Sequence, residues 1–164
     1  MTGLFFQIDT RNHTATFLNG GHLYPYLVRR DGSASFVKIP GAIFGTKAAE
    51  KLETITLKIE PGDRCFMVTD GLLESLPTAT GSKENPFDLL GNLFVKLCHK
   101  KAQKAQKLLK MTDLPSTDGD VLAGHASLSL KQVCEAFFAN HPLYLSGGRQ
   151  EDDCTLVIFE RKET

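Results

Sequence analysis

The sequence lacks the features of a membrane-spanning, exported or strongly charged protein. No apolar stretch approaches the roughly 20 residues that span a bilayer, and Met1–Gln7 has neither the basic start nor the cleavage site of a signal peptide. Acidic and basic residues balance at 19 each, so no net field draws the chain toward nucleic acid or a membrane surface. We therefore expect a cytoplasmic protein that binds neither, although a segment upstream of residue 1 could still direct export.

The chain is also poor in cysteine, and its cysteines are widely separated. Cys65, Cys98, Cys134 and Cys154 show none of the paired spacings that build zinc sites, and two of them lie within apolar runs. We expect four reduced thiols. With 164 residues the chain has room for one ordinary domain, so we predict a single domain over residues 1–164.

The first part of the chain has the pattern of antiparallel strands. Short β-rich segments alternate with turn residues such as Asp31-Gly32 and Pro61-Gly62. The predicted strands are Leu4–Ile8, Thr14–Leu18, Tyr26–Arg30, Ser35–Ile39 and Thr54–Ile59, followed by the apolar run Arg64–Thr69 and, at the end of the chain, Cys154–Phe159. The run Arg64–Thr69 has the composition of an interior strand and stops at Asp70-Gly71.

A helical period replaces this pattern after Pro86. Apolar residues recur at spacings of three and four from Phe87 to Cys98, and the pattern continues through Leu109 as one long helix or two short ones. A further helix is predicted over Ser129–Ala139. Lysines between Lys96 and Lys110 allow a nucleic-acid surface in principle, but such charges usually form a solvated helix face, which we prefer.

Acidic residues flank the two most apolar predicted strands. Asp70 follows Arg64–Thr69, and Asp152-Asp153 precedes Cys154–Phe159. If these strands are antiparallel neighbours, the end of one lies beside the start of the other, and the carboxylates meet at one sheet rim. Clustered carboxylates favour a hard divalent cation such as Mg²⁺ or Mn²⁺. Taken singly, Asp70-Gly71 could be an ordinary turn and Asp152-Asp153 a solvated start of a strand.

Several motifs occur in an order that resembles a known enzyme family. They are Asn19-Gly20-Gly21-His22 with Pro25, Gly41–Gly45, Pro61-Gly62-Asp63, Thr69–Glu74 and Asp152–Thr155. In this order they resemble the C-terminal portion of PPM-type protein serine/threonine phosphatases of the SpoIIE/RsbU class. The likeness implies an α+β fold in which an antiparallel β-sandwich is flanked by helices, with the N-terminal part missing.

The resemblance also implies roles for particular residues. Asp70 and Asp152 would be ligands of a two-metal site holding Mg²⁺ or Mn²⁺. Asp153 would either support these ligands or bind an outer metal ion, and Gly71 would let the backbone pass close to the metals. The substrate would be a phosphorylated regulatory protein of bacteria, such as an anti-anti-sigma factor. Glu74 falls in a segment that resembles a switch-like helix. For His22 we prefer a turn-holding role to general-acid catalysis.

The family's metal-bridging acid belongs to a motif that lies upstream of the matched portion. We therefore expect the isolated chain to bind metal weakly and to be slow or inactive as a phosphatase. The alternative is a non-catalytic regulatory or dimerisation module on the same scaffold. A truncated sandwich would leave an unpaired sheet edge, and a homodimer would cover it.

Overall fold

The computed structural model describes residues 1–48, 52–76, 85–99, 128–141 and 153–162. The chain divides into two compact units, which are described separately. Unit 1 consists of Met1–Glu74 with Glu151–Thr164, and unit 2 consists of Ser75–Gln150. The prediction of a single domain over residues 1–164 stays a prediction.

Unit 1 contains two antiparallel sheets. The first has the strand order β1-β2-β5 and the second β4-β3-β6-β7. The strands are β1 (Gly3–Asp9), β2 (Thr14–Gly20), β3 (Tyr26–Val28), β4 (Ala34–Phe36), β5 (Thr54–Lys58), β6 (Arg64–Val68) and β7 (Leu156–Glu160). Every strand pair is antiparallel. Together with the helices, these sheets confirm the predicted α+β class.

One hydrophobic core joins the two sheets. Phe17 of β2 packs in the same buried cluster as Leu27 of β3 and Met67 of β6. All five residues of β6 are buried, which confirms the prediction of an interior strand. Burial of large side chains from both sheets contributes roughly 1.5–3 kcal/mol for each fully buried one, and this holds the sandwich together.

The turns between the strands contain residues that suit their geometry. Between β1 and β2, the Asp9 carboxylate accepts the N–H groups of Arg11 (2.8 Å) and Asn12 (3.0 Å). Between β5 and β6, Gly62 has a φ of 88°, a conformation that glycine adopts without strain. These turns explain why β1–β2 forms a hairpin and why β6 starts where the sequence predicts it.

Three strands have different bounds in the structure from those predicted from the sequence. Strand β3 ends at Val28 rather than residue 30, and β4 covers Ala34–Phe36 rather than residues 35–39. The reason is the tight hairpin tip, where the Arg29 N–H already bonds to the Ser33 oxygen (2.8 Å). The last strand begins at Leu156, two residues later than predicted, because Thr155 and residue 153 bond to the Thr69 side chain instead.

Three helices complete the described residues: α1 (Asp70–Glu74), α2 (Pro86–His99) and α3 (Leu130–Asn140). In unit 2, α2 and α3 pack together through the stacked rings of Phe94 and Phe137, whose centroids are 5.4 Å apart. Ser129 and Gln132 form a capping box at the start of α3. Both predicted helices are confirmed within these bounds, whereas the predicted continuation through Leu109 lies outside the described residues. Within the described ranges, no helix is both long and apolar enough to cross a membrane.

A buried acid holds the end of the sandwich at which β6 begins. Asp63 is 1% exposed, and its carboxylate accepts hydrogen bonds from the Arg29 side chain (2.6 Å), the Arg30 N–H (3.1 Å) and the Glu60 N–H (2.8 Å). These donors come from the β3–β4 hairpin and from the β5–β6 turn. Asp63 therefore ties two turns together through bonds that replace its lost hydration.

Candidate active site

The ends of β6 and β7 meet at one rim of the second sheet. Val68, the last residue of β6, pairs with Leu156, the first residue of β7. The two strands are therefore antiparallel neighbours, as the sequence analysis supposed, and the segments after Val68 and before Leu156 emerge side by side. This arrangement brings together parts of the chain that are distant in sequence, since Thr69 and Asp153 are 84 residues apart.

Thr69 joins the two segments at this rim. Its hydroxyl donates to the Asp153 carbonyl oxygen (2.8 Å) and accepts from the Thr155 N–H (2.8 Å), while its own N–H donates to the Thr155 oxygen (3.1 Å). We call these three bonds the Thr69 clasp. The clasp fixes the backbone of residue 153 beside the residue that precedes Asp70. Sequence reasoning included Thr69 in a motif but missed this role.

Asp70 and Asp153 both expose their side chains at the rim. Asp70 is the first residue of α1, and its Oδ1 accepts the N–H of Gly71 (3.1 Å), which is itself buried. Asp152, the other predicted ligand, lies outside the described residues. Glu74 is exposed at the last position of α1.

The turn that contains His22 is held by hydrogen bonds between His22 and Asn19. The buried Asn19 side chain accepts from the His22 N–H (2.8 Å) and donates to the His22 oxygen (3.1 Å). The turn is thus held by the backbone of His22 and the side chain of Asn19. Gly41 lies against this turn, and a Cβ there would be 2.5 Å from the Asn19 oxygen. Because this distance is too short for a Cβ atom, only glycine fits at position 41 without a shift of the backbone.

The donors at the rim suit a hard cation in type but form only part of a site. Carboxylate oxygens are the ligands that Mg²⁺ and Mn²⁺ prefer. Among the residues that the structure describes, no three His, Cys, Asp or Glu side chains group closely enough to hold a metal ion. Asp70 and Asp153 would thus hold a metal only with further ligands, of which Asp152 is the predicted one.

Two of the four cysteines are poor nucleophiles. No two of them form a disulfide, and all four lie in the described ranges. Cys65 is fully buried in β6, and burial raises the pKa of its thiol to about 12. Burial, together with the charge of Glu135, also raises the pKa of Cys134. Because the thiolate is the reactive form, these two residues are poor nucleophiles.

The fold of this chain is similar to that of several solved structures. The SiaA-PP2C domain of Pseudomonas aeruginosa matches with a TM-score of 0.62 and 19% identity over 97% of this chain and 51% of that chain. The phosphatase domain of SpoIIE from Bacillus subtilis, from a crystal presoaked in manganese, matches with a TM-score of 0.60 and 18% identity over 99% and 57%. A structure of RsbU and RsbW domains from Mycobacterium tuberculosis gives 0.65 and 18% over 98% and 36%. At these identities the likeness establishes the fold.

The sequence establishes the family. Residues 1–118 match the family model described as stage II sporulation protein E (SpoIIE), so the chain belongs to the SpoIIE family. This confirms the resemblance that the ordered motifs predicted. The chain spans 36% to 57% of the length of the three solved structures above. No curated protein sequence gives a significant match.

Proposed function

We propose that this chain supplies part of a metal-dependent protein phosphatase site. Asp70, Asp152 and Asp153 would hold Mg²⁺ or Mn²⁺, and the reaction would be hydrolysis of phosphoserine or phosphothreonine on a bacterial regulatory protein. The observation that supports this most directly is the Thr69 clasp, which places the segment of Asp153 beside Asp70. Membership of the SpoIIE family supports the same reaction class.

The residues at the rim would have distinct tasks in such a site. The exposed carboxylates of Asp70 and Asp153 offer oxygen ligands, and Thr69 acts as a positioning residue because it fixes the backbone between them. Gly71, which is buried, would let α1 start close to the ligands, and Glu74, which ends this short helix, would respond to a change in α1. The carboxylates would hold a divalent pair, and the chemistry supplied by such a pair would be an acidified water and neutralisation of the leaving oxygen. An anti-anti-sigma factor is the substrate class we propose.

Replacing Asp70 with asparagine should weaken manganese binding by this chain at least about tenfold, because a neutral amide loses the charge that attracts a hard cation. The measurement is the fraction of free Mn²⁺ by electron paramagnetic resonance as protein is added. Asp88→Asn is the matched control, since Asp88 is an exposed acid in the first turn of α2. It should leave the affinity unchanged.

Equal manganese affinity for Asp70→Asn and Asp88→Asn would contradict the proposed site. The isolated chain is expected to bind the ion weakly and to be slow on a phosphoserine peptide, because two-metal hydrolysis needs a ligand shared between the ions. Rapid manganese-dependent hydrolysis by this chain, abolished by Asp70→Asn, would support the site and refute the expected inactivity.

A second candidate function is a non-catalytic dimerisation module. Strand β1 lies at the edge of the first sheet, and three of its large apolar side chains are exposed: Phe5 by 54%, Phe6 by 42% and Ile8 by 43%. Such an edge offers unpaired backbone groups and apolar surface to another strand. Asp9 is the only charged residue in β1, so little opposes pairing with a second copy.

Lysine in place of Ile8 should suppress self-association of the chain, because a charge on an edge strand opposes strand pairing. Light scattering after size-exclusion chromatography measures the mass over a range of concentrations. Ile43→Lys is the matched control, because Ile43 is 49% exposed in a loop outside the strands. If the chain is monomeric throughout, or if both variants dissociate equally, β1 is not the dimer interface.

A further inference from the structure

An open groove lies in unit 1 between the outer strands of the two sheets. Its volume is about 570 Å³, and it is lined by residues of β3, of the β4 region and of β5. Strand β4 is the last strand of one sheet order and β5 the last strand of the other. We call this cavity the edge groove. It lies on the side of the sandwich where both sheets end.

The floor of the edge groove is apolar. Leu27 and Val37 belong to the buried core, and Ile55 and Leu57 are partly buried against it. The sequence Thr54–Lys58 alternates exposed and half-buried positions, so the apolar side chains of β5 face inward along the groove. A strand lying here would bury every second side chain on this floor.

The rim of the edge groove is basic. Among the residues that the structure describes, the charged ones lining it are Arg29 and Lys38, and none is acidic. Arg29 binds the Asp63 carboxylate and the Lys58 oxygen, whereas Lys38 is exposed. Asp31 is at the hairpin tip, where its carboxylate accepts hydrogen bonds from the hydroxyl and the N–H of Ser33. These bonds lower the pKa of Asp31. Positive charge is therefore concentrated toward Lys38, away from the tip.

The backbone of β4 presents an edge to this groove. Arg29 pairs with Ser33 and Pro25 with Val37 through hydrogen bonds, so Leu27–Ser35 is the hydrogen-bonded pair between them. In an antiparallel ladder the intervening residues direct their N–H and C=O groups to the opposite side. The N–H and C=O of Ala34 thus point away from β3, toward the position of an added strand.

The edge groove and the Asp70 rim belong to different strands, because β3 separates β4 from β6. Leu27 pairs with Cys65 near the start of β6, whereas Asp70 follows the end of that strand. Five residues of extended chain cover about 17 Å. Lys38 follows Val37, which bonds to Pro25, so this end of the groove lies toward the end of β6 that precedes Asp70. Peptide binding and manganese binding are therefore measured separately on each variant.

We propose that the edge groove binds an extended acidic segment of a protein partner by strand addition to β4. Apolar side chains of the segment would lie on the floor formed by Leu27 and Ile55, and its alternate acidic side chains would face Lys38. Main-chain hydrogen bonds supply affinity in this mode of recognition, and the alternate side chains supply selectivity. The proposal does not depend on the phosphatase reaction, because a docking groove serves the binding module equally well.

The test uses the full chain and a short fluorescein-labelled peptide of alternating valine and glutamate. Fluorescence anisotropy should show saturable binding that weakens as the salt concentration rises from about 20 to 200 mM, because salt screens the attraction between Lys38 and the glutamates of the peptide. Lys38→Glu should weaken binding at least about tenfold. Lys96→Glu is the matched control, since Lys96 is exposed on α2 in unit 2. Ala34→Pro should also weaken binding, because it removes the outward N–H.

Particular results would overturn the proposal. They are absence of saturable binding, equal binding of a valine–lysine peptide, or equal losses for Lys38→Glu and Lys96→Glu. Retained affinity in a folded Ala34→Pro protein, verified by an unchanged thermal midpoint, would exclude strand addition. Manganese affinity is also measured on Lys38→Glu. Loss of peptide binding with unchanged manganese affinity would show that the edge groove and the Asp70 site are separate.

Discussion

Replacing Asp63 with alanine is expected to lower the free energy of unfolding by roughly 3–5 kcal/mol, because two backbone N–H groups each lose a buried acceptor, at about 1–3 kcal/mol for each, and Arg29 loses its counter-charge. The carboxylate is 1% exposed and accepts bonds from Arg29, Arg30 and Glu60. Without it, two backbone N–H groups lose a buried acceptor, whereas the Arg29 side chain, which is 33% exposed, keeps contact with water and with the Lys58 oxygen. Urea denaturation measures the change.

Glu53→Ala is the control for this experiment. Glu53 is an exposed acid just before β5, and a surface substitution of this kind should change stability by no more than about 0.5 kcal/mol. The Asp63→Asn variant should lie between the two, since one oxygen is retained while an amide group faces donors. If Asp63→Ala were as stable as Glu53→Ala, the buried network would contribute nothing and the turns would be held by packing alone.

Replacing Arg64 with methionine should cost about 3 kcal/mol, toward the lower limit for a buried pair because Glu160 keeps some contact with water. The Arg64 side chain is 3% exposed and that of Glu160 14% exposed. Both Nε and Nη2 of Arg64 bond to one Glu160 oxygen, at 3.1 and 3.0 Å. Methionine fills similar space but leaves the carboxylate without its main cation.

The double variant Arg64→Met with Glu160→Leu tests the physical reason for this loss. Arg64 and Glu160 are directly opposite in the β6–β7 ladder, so two apolar side chains there can pack against each other. Replacing both partners should restore stability to within about 1 kcal/mol of the original protein. A double variant as unstable as Arg64→Met would show that packing geometry, rather than the stranded carboxylate, causes the loss.

Much of unit 1 follows from local patterns. Alternation of apolar residues and turn chemistry predict β1, β2 and β5 within one or two residues, because these strands are half-buried and begin and end at turns. The same patterns predict strands β3 and β4 that are longer than those in the structure. Their ends depend on the bonds of Arg29 to Ser33 and of Arg30 to Asp63, and such contacts leave no periodic signal in the sequence.

The candidate site shows the same division. Motif order predicts that Asp70 and Asp152-Asp153 belong to one site, and the antiparallel pairing of β6 with β7 brings the segments of Asp70 and Asp153 to one rim. The prediction for Asp152 remains a prediction, since the residue lies outside the described ranges. No pattern in the sequence indicates that the Thr69 hydroxyl bonds to both sides of Cys154.

Local sequence patterns are enough to identify the family, the strand-rich character of unit 1 and the acids that flank its most apolar strands. Those properties reside in short segments, where side-chain type and spacing act directly on the local chain. Only the tertiary structure decides which acid is buried as a structural anchor, which is exposed at the rim, and where the outer strands leave a groove. Asp63 and Asp70 are seven residues apart, yet one is enclosed by donors and the other is exposed. That difference arises from contacts with residues distant in sequence, which no local pattern contains.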